Sequence, residues 1–246
     1  MGHKLSAIVT NKMNRILRKI ASKAERLTNR TILQETHDAK ALQRLGLYMD
    51  DYLPWTGSAL RPSAISMIYN EIIIHQRSRV LEIGCGMSTV MLSRFLAERG
   101  GTLVSLENDQ GWIDVTQKNL GNGAEVCELV HAELIEQEIS GQKYMWYDLE
   151  RGEAKTHLTH KPFDVLIVDA PISTVGAKAR FPALHKLRDY MADDFVVFLD
   201  DIERDDETEI AKEWCAEFNL DYKKSGVIGG LGIMRPKNSP NQYNIC

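Results

Sequence analysis

An α/β architecture, an open and mostly parallel sheet with helices on both faces, is what this sequence predicts, and three observations predict it. Short, largely apolar runs at Val80 to Ile83, Thr102 to Glu107, Phe163 to Asp169 and Phe195 to Asp200 read as strands of a buried parallel sheet. Stretches of helical periodicity, such as Val90 to Leu96 and about Gly111 to Leu120, alternate with them. The strands carry acids at or near their carboxyl ends: Glu82, Glu107, Asp169 and the pair Asp200-Asp201. In open α/β sheets that is the edge where ligands bind.

The bulk numbers suit one such domain with an appendage. The chain has 246 residues, 43% hydrophobic and 26% charged, enough for one good core. Residues 1–60 read as a helical extension and loop, 61–238 as the α/β domain and 239–246 as a tail. Cys85, Cys127, Cys215 and Cys246 lack metal-ligand spacing and read as reduced thiols in a cytoplasmic setting. No run of 18 apolar residues exists to span a bilayer. A net charge of −4 argues against general nucleic-acid binding, but the average hides an asymmetry. Residues 1–30 carry a net +7, leaving −11 for the rest. Leu5, Ile8, Val9, Met13, Ile16, Leu17, Ile20, Ala24 and Leu27 recur at steps that form one helical face. A basic amphipathic helix of this kind suits an anionic membrane surface. Its stripe would equally pack on the α/β domain or on a second subunit of a homo-oligomer. Residues 31–60 read as a second helical piece and then a loop, Tyr52 to Ser58, placed to close over the ligand edge. Trp55 would line a pocket there or fill the core. Pro62 opens the next helix, which runs to about Ile74.

The densest information lies in the first strand and its turn. Val80-Leu81-Glu82-Ile83 runs into Gly84-Cys85-Gly86 and then Met87-Ser88-Thr89, which opens a helix. The glycines admit backbone angles that a Cβ forbids and let a ligand approach the main chain. Glu82, a carboxylate in an apolar strand, requires a cationic or hydrogen-bonding partner; a ligand ammonium would serve. Glu107 ends the next strand, where an acid holds ribose hydroxyls in doubly wound folds. A dinucleotide fingerprint wants a third glycine where this chain has Thr89. The spacing Glu82-x-Gly84-x-Gly86, followed by a strand ending in Glu, instead resembles the class I S-adenosylmethionine-dependent methyltransferases. That resemblance implies a Rossmann-like, seven-stranded sheet with S-adenosyl-L-methionine as cofactor. It implies cofactor contacts from Glu82, Gly84, Cys85, Gly86, Ser88, Thr89, Glu107, Asn108, Ala132, Glu133 and Asp169.

The later elements follow in the expected order. Gly121-Asn122-Gly123 stops a helix, and Glu125 to His131 is the third strand. Residues 135–162 form a long connection whose Tyr144-Met145-Trp146-Tyr147 cluster reads as an extra edge strand or a lid. A helix from about Glu207 to Phe218 precedes two short strand pieces, the terminal antiparallel hairpin of a methyltransferase sheet.

Asp169 and Asp200-Asp201 end neighbouring strands, so three carboxylates should converge and repel unless a cation lies among them. Hard oxygen donors suit Mg²⁺, which makes Asp169, Asp200 and Asp201 candidate metal ligands. In the competing reading Asp200 or Asp201 caps the next helix and Asp169 acts alone as a base. Asp169, Asp201 and His185 are the candidate catalytic bases. Lys178 and Arg180 would hold an acidic sugar or phosphate, or be solvated helix residues, and the solvated role is the expectation.

Phe163 to Pro171, Ala179 to Leu184 and Leu199 to Arg204 resemble a bacterial branch of class I methyltransferases associated with surface polysaccharide clusters. Val168-Asp169-Ala170-Pro171, with Asp201 to Arg204, is also similar to plant glucuronoxylan O-methyltransferases. The resemblance implies O-methylation of a saccharide or glycan, and the basic N-terminal helix would bring the enzyme to the inner face of the cell membrane. Pro171 stands where antibiotic-sugar enzymes carry a further acid, so their general base does not carry over. Two rivals remain: an NAD(P)- or nucleotide-sugar-dependent oxidoreductase, and a non-catalytic relative that keeps the pocket.

Overall fold

Seven strands form the central sheet in the order β3-β2-β1-β6-β7-β9-β8. Their ranges are β1 Arg79–Ile83, β2 Thr102–Glu107, β3 Cys127–His131, β6 Phe163–Val168, β7 Met191–Leu199, β8 Leu220–Lys224 and β9 Gly232–Pro236. The computed structural model describes residues 2–49, 52–159, 162–225 and 230–241, with side chains in the first helix from Arg15 onward. β1 pairs in parallel with β2 and β6, β2 with β3, and β6 with β7. β9 then enters antiparallel between β7 and β8. The seven-stranded, doubly wound architecture and its terminal hairpin are those expected.

Alternation along each strand sends side chains to two cores. Leu81, Ile83, Leu166 and Val168 face one layer, with Trp146 and Trp214. Val80, Val165, Ile167 and Phe198 face the other, against helices α2 (Pro62–Ile74) and α3 (Met87–Ala97). Burial on both faces is why these strands read as continuous apolar runs.

Two segments differ from expectation. Residues 2–45 form one helix, α1, not two pieces. Its last turns dock on α2: Asp38 accepts hydrogen bonds from the Ser63 amide (3.1 Å) and hydroxyl (2.6 Å) and from Arg61 (2.8 Å). A carboxylate at the α2 N-terminus completes its open amides and complements its dipole. Residues 15–33 of α1, by contrast, lie exposed, with Ile16, Leu17, Ile20 and Leu27 each about half accessible. Among the described residues that stretch does not pack its stripe on the domain, and of its cations Arg30 reaches over to Glu203. The second difference is the Tyr144–Tyr147 cluster. It belongs to a separate antiparallel pair, β4 (Leu134–Ile139) and β5 (Gln142–Tyr147), not to an edge of the main sheet. Trp146 and Tyr147 are wholly buried there, so apolar filling rather than a mobile lid explains the aromatics. The remaining helices are α4 (Gln110–Asn119), α5 (Gly152–Leu158), α6 (Pro182–Leu187) and α7 (Asp205–Glu217). Of the tail, Ser239 and Asn241 hydrogen-bond Asp194 on β7, and residues 242–246 lie outside the described residues.

Candidate active site

The carboxyl ends of β1, β2, β6 and β7 meet at one edge, tied by main-chain bonds. The Gly84 amide donates to Leu106 O (2.8 Å), Asp169 N to Ile83 O (3.0 Å), and Asp200 N to Val168 O (3.0 Å). A cleft enclosing about 120 Å³ opens there, lined by Gly84 to Ser88, Glu107, Trp112, Asp169 and Ile172. Pro54, Thr56 and Ser58 to Leu60 form its outer wall, so the loop before α2 does cover the ligand edge. Trp55 is not part of that wall and packs on the α2–α3 core instead.

The two glycines of the turn play different parts. Gly84 has φ +96°, and a Cβ there would stand 2.7 Å from the Ala170 Cβ. Gly86 is extended, at φ 168°, so its backbone demands no glycine. Its bareness leaves room instead, since a Cβ would meet only the Trp112 indole at 3.5 Å. Trp112, on α4, donates to Cys85 O (2.6 Å) and is a cleft residue that the sequence reading missed. Its only signal was its place one turn beyond the strand-end Glu107.

Glu82 does not reach the cleft. Its carboxylate is fully buried and accepts from the hydroxyls of Ser88, Thr89 and Ser105, with 2.9 Å to Ser105. Thr89 also accepts from the Gly86 amide (2.8 Å), so its single hydroxyl ties turn to strand. This explains why threonine stands where a dinucleotide site has glycine. Glu82 and Thr89 are thus supports of the turn, and no ligand ammonium is required. Burial lifts the Glu82 carboxyl to about 7, against the hydroxyl donors that favour its charge. Asp200 is lifted to about 6, by burial and then by Asp201. Both folded values lie above the unfolded ones, so this part of the stability is full below about pH 4 and is lost as pH rises to the folded values of about 6 and 7. The melting temperature should therefore fall between about pH 4.5 and pH 7, and fall less in Glu82→Gln. Scanning fluorimetry reads this directly; identical slopes would acquit Glu82.

Glu107 is nearly buried and faces the turn. Its Oε1 accepts from the amides of Asn108 (2.7 Å) and Asp109 (2.9 Å), and its Oε2 from Cys85 (3.2 Å). Burial raises its pKa, which these three donors oppose. Asn108 holds this corner through its carbonyl contact with His131 (3.1 Å). Ala132 is tied to the end of β2 by its amide, 2.9 Å from Glu107 O, but neither it nor Glu133 lines the cleft.

Asp169, Asp200 and Asp201 do converge, with carboxylate oxygens within 4.8 Å of one another. Asp201 holds its place with φ +57°, an unusual conformation for a residue with a Cβ. The surprise is Arg180, which is buried among them and not solvated. Its Nη2 lies 3.2 Å from Asp169 Oδ1 and 3.2 Å from Asp201 Oδ2. Arg204 Nη1 approaches Asp201 Oδ2 from outside, at 2.8 Å. The donor set is of the kind a divalent ion wants, but a guanidinium already stands within it. Burial, and then the Asp200 charge, hold the Asp169 carboxyl well above the usual range. His185 is elsewhere: its ring packs on Phe181 and Phe218, and Nε2 meets Glu217 at 2.9 Å. It is not a base for this cleft. Lys178, as expected, is at the surface, paired with Glu209 (2.9 Å) and Glu213 (2.7 Å).

Residues 81–202, from β1 to the end of the aspartate cluster, match the family model described as a methyltransferase domain. The chain carries a methyltransferase domain over these residues. No curated protein matches it significantly. Among solved structures the methyltransferase is similar to an O-methyltransferase from Bacillus cereus in complex with S-adenosylhomocysteine, at 19% identity and TM-score 0.52. The match covers 81% of this chain and 89% of that one. It is also similar to the methyltransferase PaMTH1 of Podospora anserina, bound to S-adenosylhomocysteine (14% identity, TM-score 0.55, covering 82% and 88%). A third is the O-methyltransferase TomG of Streptomyces achromogenes, involved in tomaymycin synthesis and solved with S-adenosylmethionine (15% identity, TM-score 0.52, covering 82% and 96%). At these identities the likeness is one of fold.

Proposed function

We propose that this methyltransferase methylates a hydroxyl oxygen of a saccharide or glycan. The observation that carries the reading is the shared cleft: Asp169, a carboxylate of raised pKa, lines the same hollow as Gly84, Gly86 and Glu107. Bound S-adenosylmethionine supplies a methyl group already activated on a sulfonium. What the chain must add is alignment and a proton acceptor. Glu107 is placed to accept ribose hydroxyls, and the bare backbone at Gly86 to let the cofactor lie close. Asp169, its carboxyl held above the usual range by burial and the Asp200 charge, is suited to take the proton of the acceptor hydroxyl. Asp201, a quarter exposed, faces the same edge as a second acceptor. A further cavity of about 400 Å³, whose lining includes Gln142, Tyr144 and Lys178, lies along residues 175–179. That segment continues from Ile172 in the cofactor cleft, which supports an acceptor longer than one ring.

Tritiated methyl transfer to glycan extracts is the test, with products checked in mild alkali. Base-stable label in a saccharide is the expected result, since a methyl ether resists alkali and a methyl ester does not. S-adenosylhomocysteine binding without transfer to any saccharide would overturn the acceptor and leave the cofactor.

The exposed stripe and cations of α1 support an anionic membrane as the place of work. Full-length protein should float with vesicles containing anionic lipid and lose that property without residues 1–30. Equal flotation of the shortened chain would remove the membrane role.

A further inference from the structure

We infer that Arg180 is the resident cation of the Asp169–Asp200–Asp201 cluster, a positioning residue that does there what a divalent ion would otherwise do. The inference deepens the proposed reaction, because this cluster borders the hollow where the acceptor hydroxyl would meet the methyl group.

Three carboxylates within 4.8 Å of one another must share a positive partner or protonate. Arg180 comes from the segment before α6 and enters with its side chain only 4% exposed. Its planar fork is spent on five contacts at once. Nη2 reaches Asp169 Oδ1 and Asp201 Oδ2, both at 3.2 Å, and also Asp169 O. Nη1 donates to Asp200 O (3.1 Å), and Nε to Pro171 O (3.4 Å). Three of these partners are main-chain carbonyls at the ends of the two strands. The guanidinium is therefore anchored by the fold itself, and the carboxylates come to it. A delocalised, weakly hydrated fork suits such a buried site, where an ammonium would not span the same atoms. Arg204 adds a second positive group on the outer side, 2.8 Å from Asp201.

A magnesium ion requires oxygens at about 2.0–2.1 Å in near-octahedral array. To gain Asp169 and Asp201 as ligands it would have to expel Arg180 Nη2 and set two positive charges side by side. The cluster thus has the ligands of a metal site with its central place held by protein. Held this way, Asp169 and Asp201 keep fixed orientations at the mouth of the cleft without a dissociable ion.

Manganese binding to the full-length protein, followed by loss of the free-ion paramagnetic signal, tests this without methyl donor or acceptor. The wild type should leave Mn²⁺ free, whereas Arg180→Ala should take up one ion, at least about a hundredfold more tightly. Adding Asp200→Asn to that variant should abolish the new site. Retained S-adenosylhomocysteine binding reports that each variant is folded. One Mn²⁺ per wild-type chain, lost on Asp200→Asn, would overturn the inference. So would a folded Arg180→Ala that binds no ion. Should Arg180→Ala not fold, Arg180→Met replaces it, and the wild-type titration against Asp200→Asn still decides.

Discussion

Replacing Glu107 with alanine is expected to weaken S-adenosylhomocysteine binding by about a hundredfold or more. A carboxylate offers about four lone-pair sites. In this structure three are taken by the amides of Cys85, Asn108 and Asp109, which leaves acceptor capacity turned to the cleft. A ribose hydroxyl bonded to that charge is worth about 1.5–3 kcal/mol, or roughly ten- to a hundredfold in affinity. The same carboxylate orders the Gly84–Gly86 turn through the Cys85 amide, so truncation also loosens the surface on which the cofactor would lie. Glu107→Gln should recover little, because its amide group would face main-chain donors on one side. Calorimetric titration with S-adenosylhomocysteine reads both variants. Wild-type affinity in Glu107→Ala would mean that the cofactor does not use this acid, and the placement of the cleft would fail with it.

The second large effect concerns stability. Gly84→Ala should cost about 2–4 kcal/mol, for two reasons that add. The residue sits at φ +96°, where a Cβ is strained by about 1–3 kcal/mol. The new methyl would also stand 2.7 Å from the Ala170 Cβ and 3.3 Å from the Ala170 amide, in a strand end with no slack. For a chain of this size that is a fall of about 5–12 °C in melting temperature. Gly176→Ala is the control, since a Cβ there meets nothing within 4 Å and its φ is extended. Scanning calorimetry should separate the two clearly; equal melting temperatures would show that the turn tolerates a side chain, contrary to its geometry.

Local pattern carried much of the fold. The apolar runs, the glycine turn and the acids at strand ends are features of neighbouring residues, and each appears where the sequence places it. Pro62 opens α2, and Gly232 to Pro236 enters the sheet as an antiparallel strand between β7 and β8. Boundaries slipped where cues were weak: β7 starts at Met191, ahead of the apolar run, because Ala192-Asp193-Asp194 is extended before it is buried. The continuity of α1 past residue 30 has no local mark, because the partner that holds its last turns, the α2 N-terminus, is remote in sequence.

At the site the division is sharper. Glu82 is visibly a buried carboxylate from sequence, yet its partners are three hydroxyls from three elements, Ser88, Thr89 and Ser105, which only packing brings together. Trp112 carried no motif, and the run Ala179 to Leu184 that holds Arg180 says nothing of the carboxylates it meets. Arg180 read as a solvated cation because charge and helical context are all that a sequence displays of it.

By itself, the sequence determined the order of strands and helices, the tight turn and the acids that gather at one edge, since these follow from periodicity and backbone sterics along a contiguous chain. Only the tertiary structure decided which groups answer those acids: hydroxyls for Glu82, main-chain amides for Glu107, and a guanidinium for Asp169 and Asp201. The reason is that a buried charge selects its partner by distance and desolvation in three dimensions, and neither quantity has a linear signature.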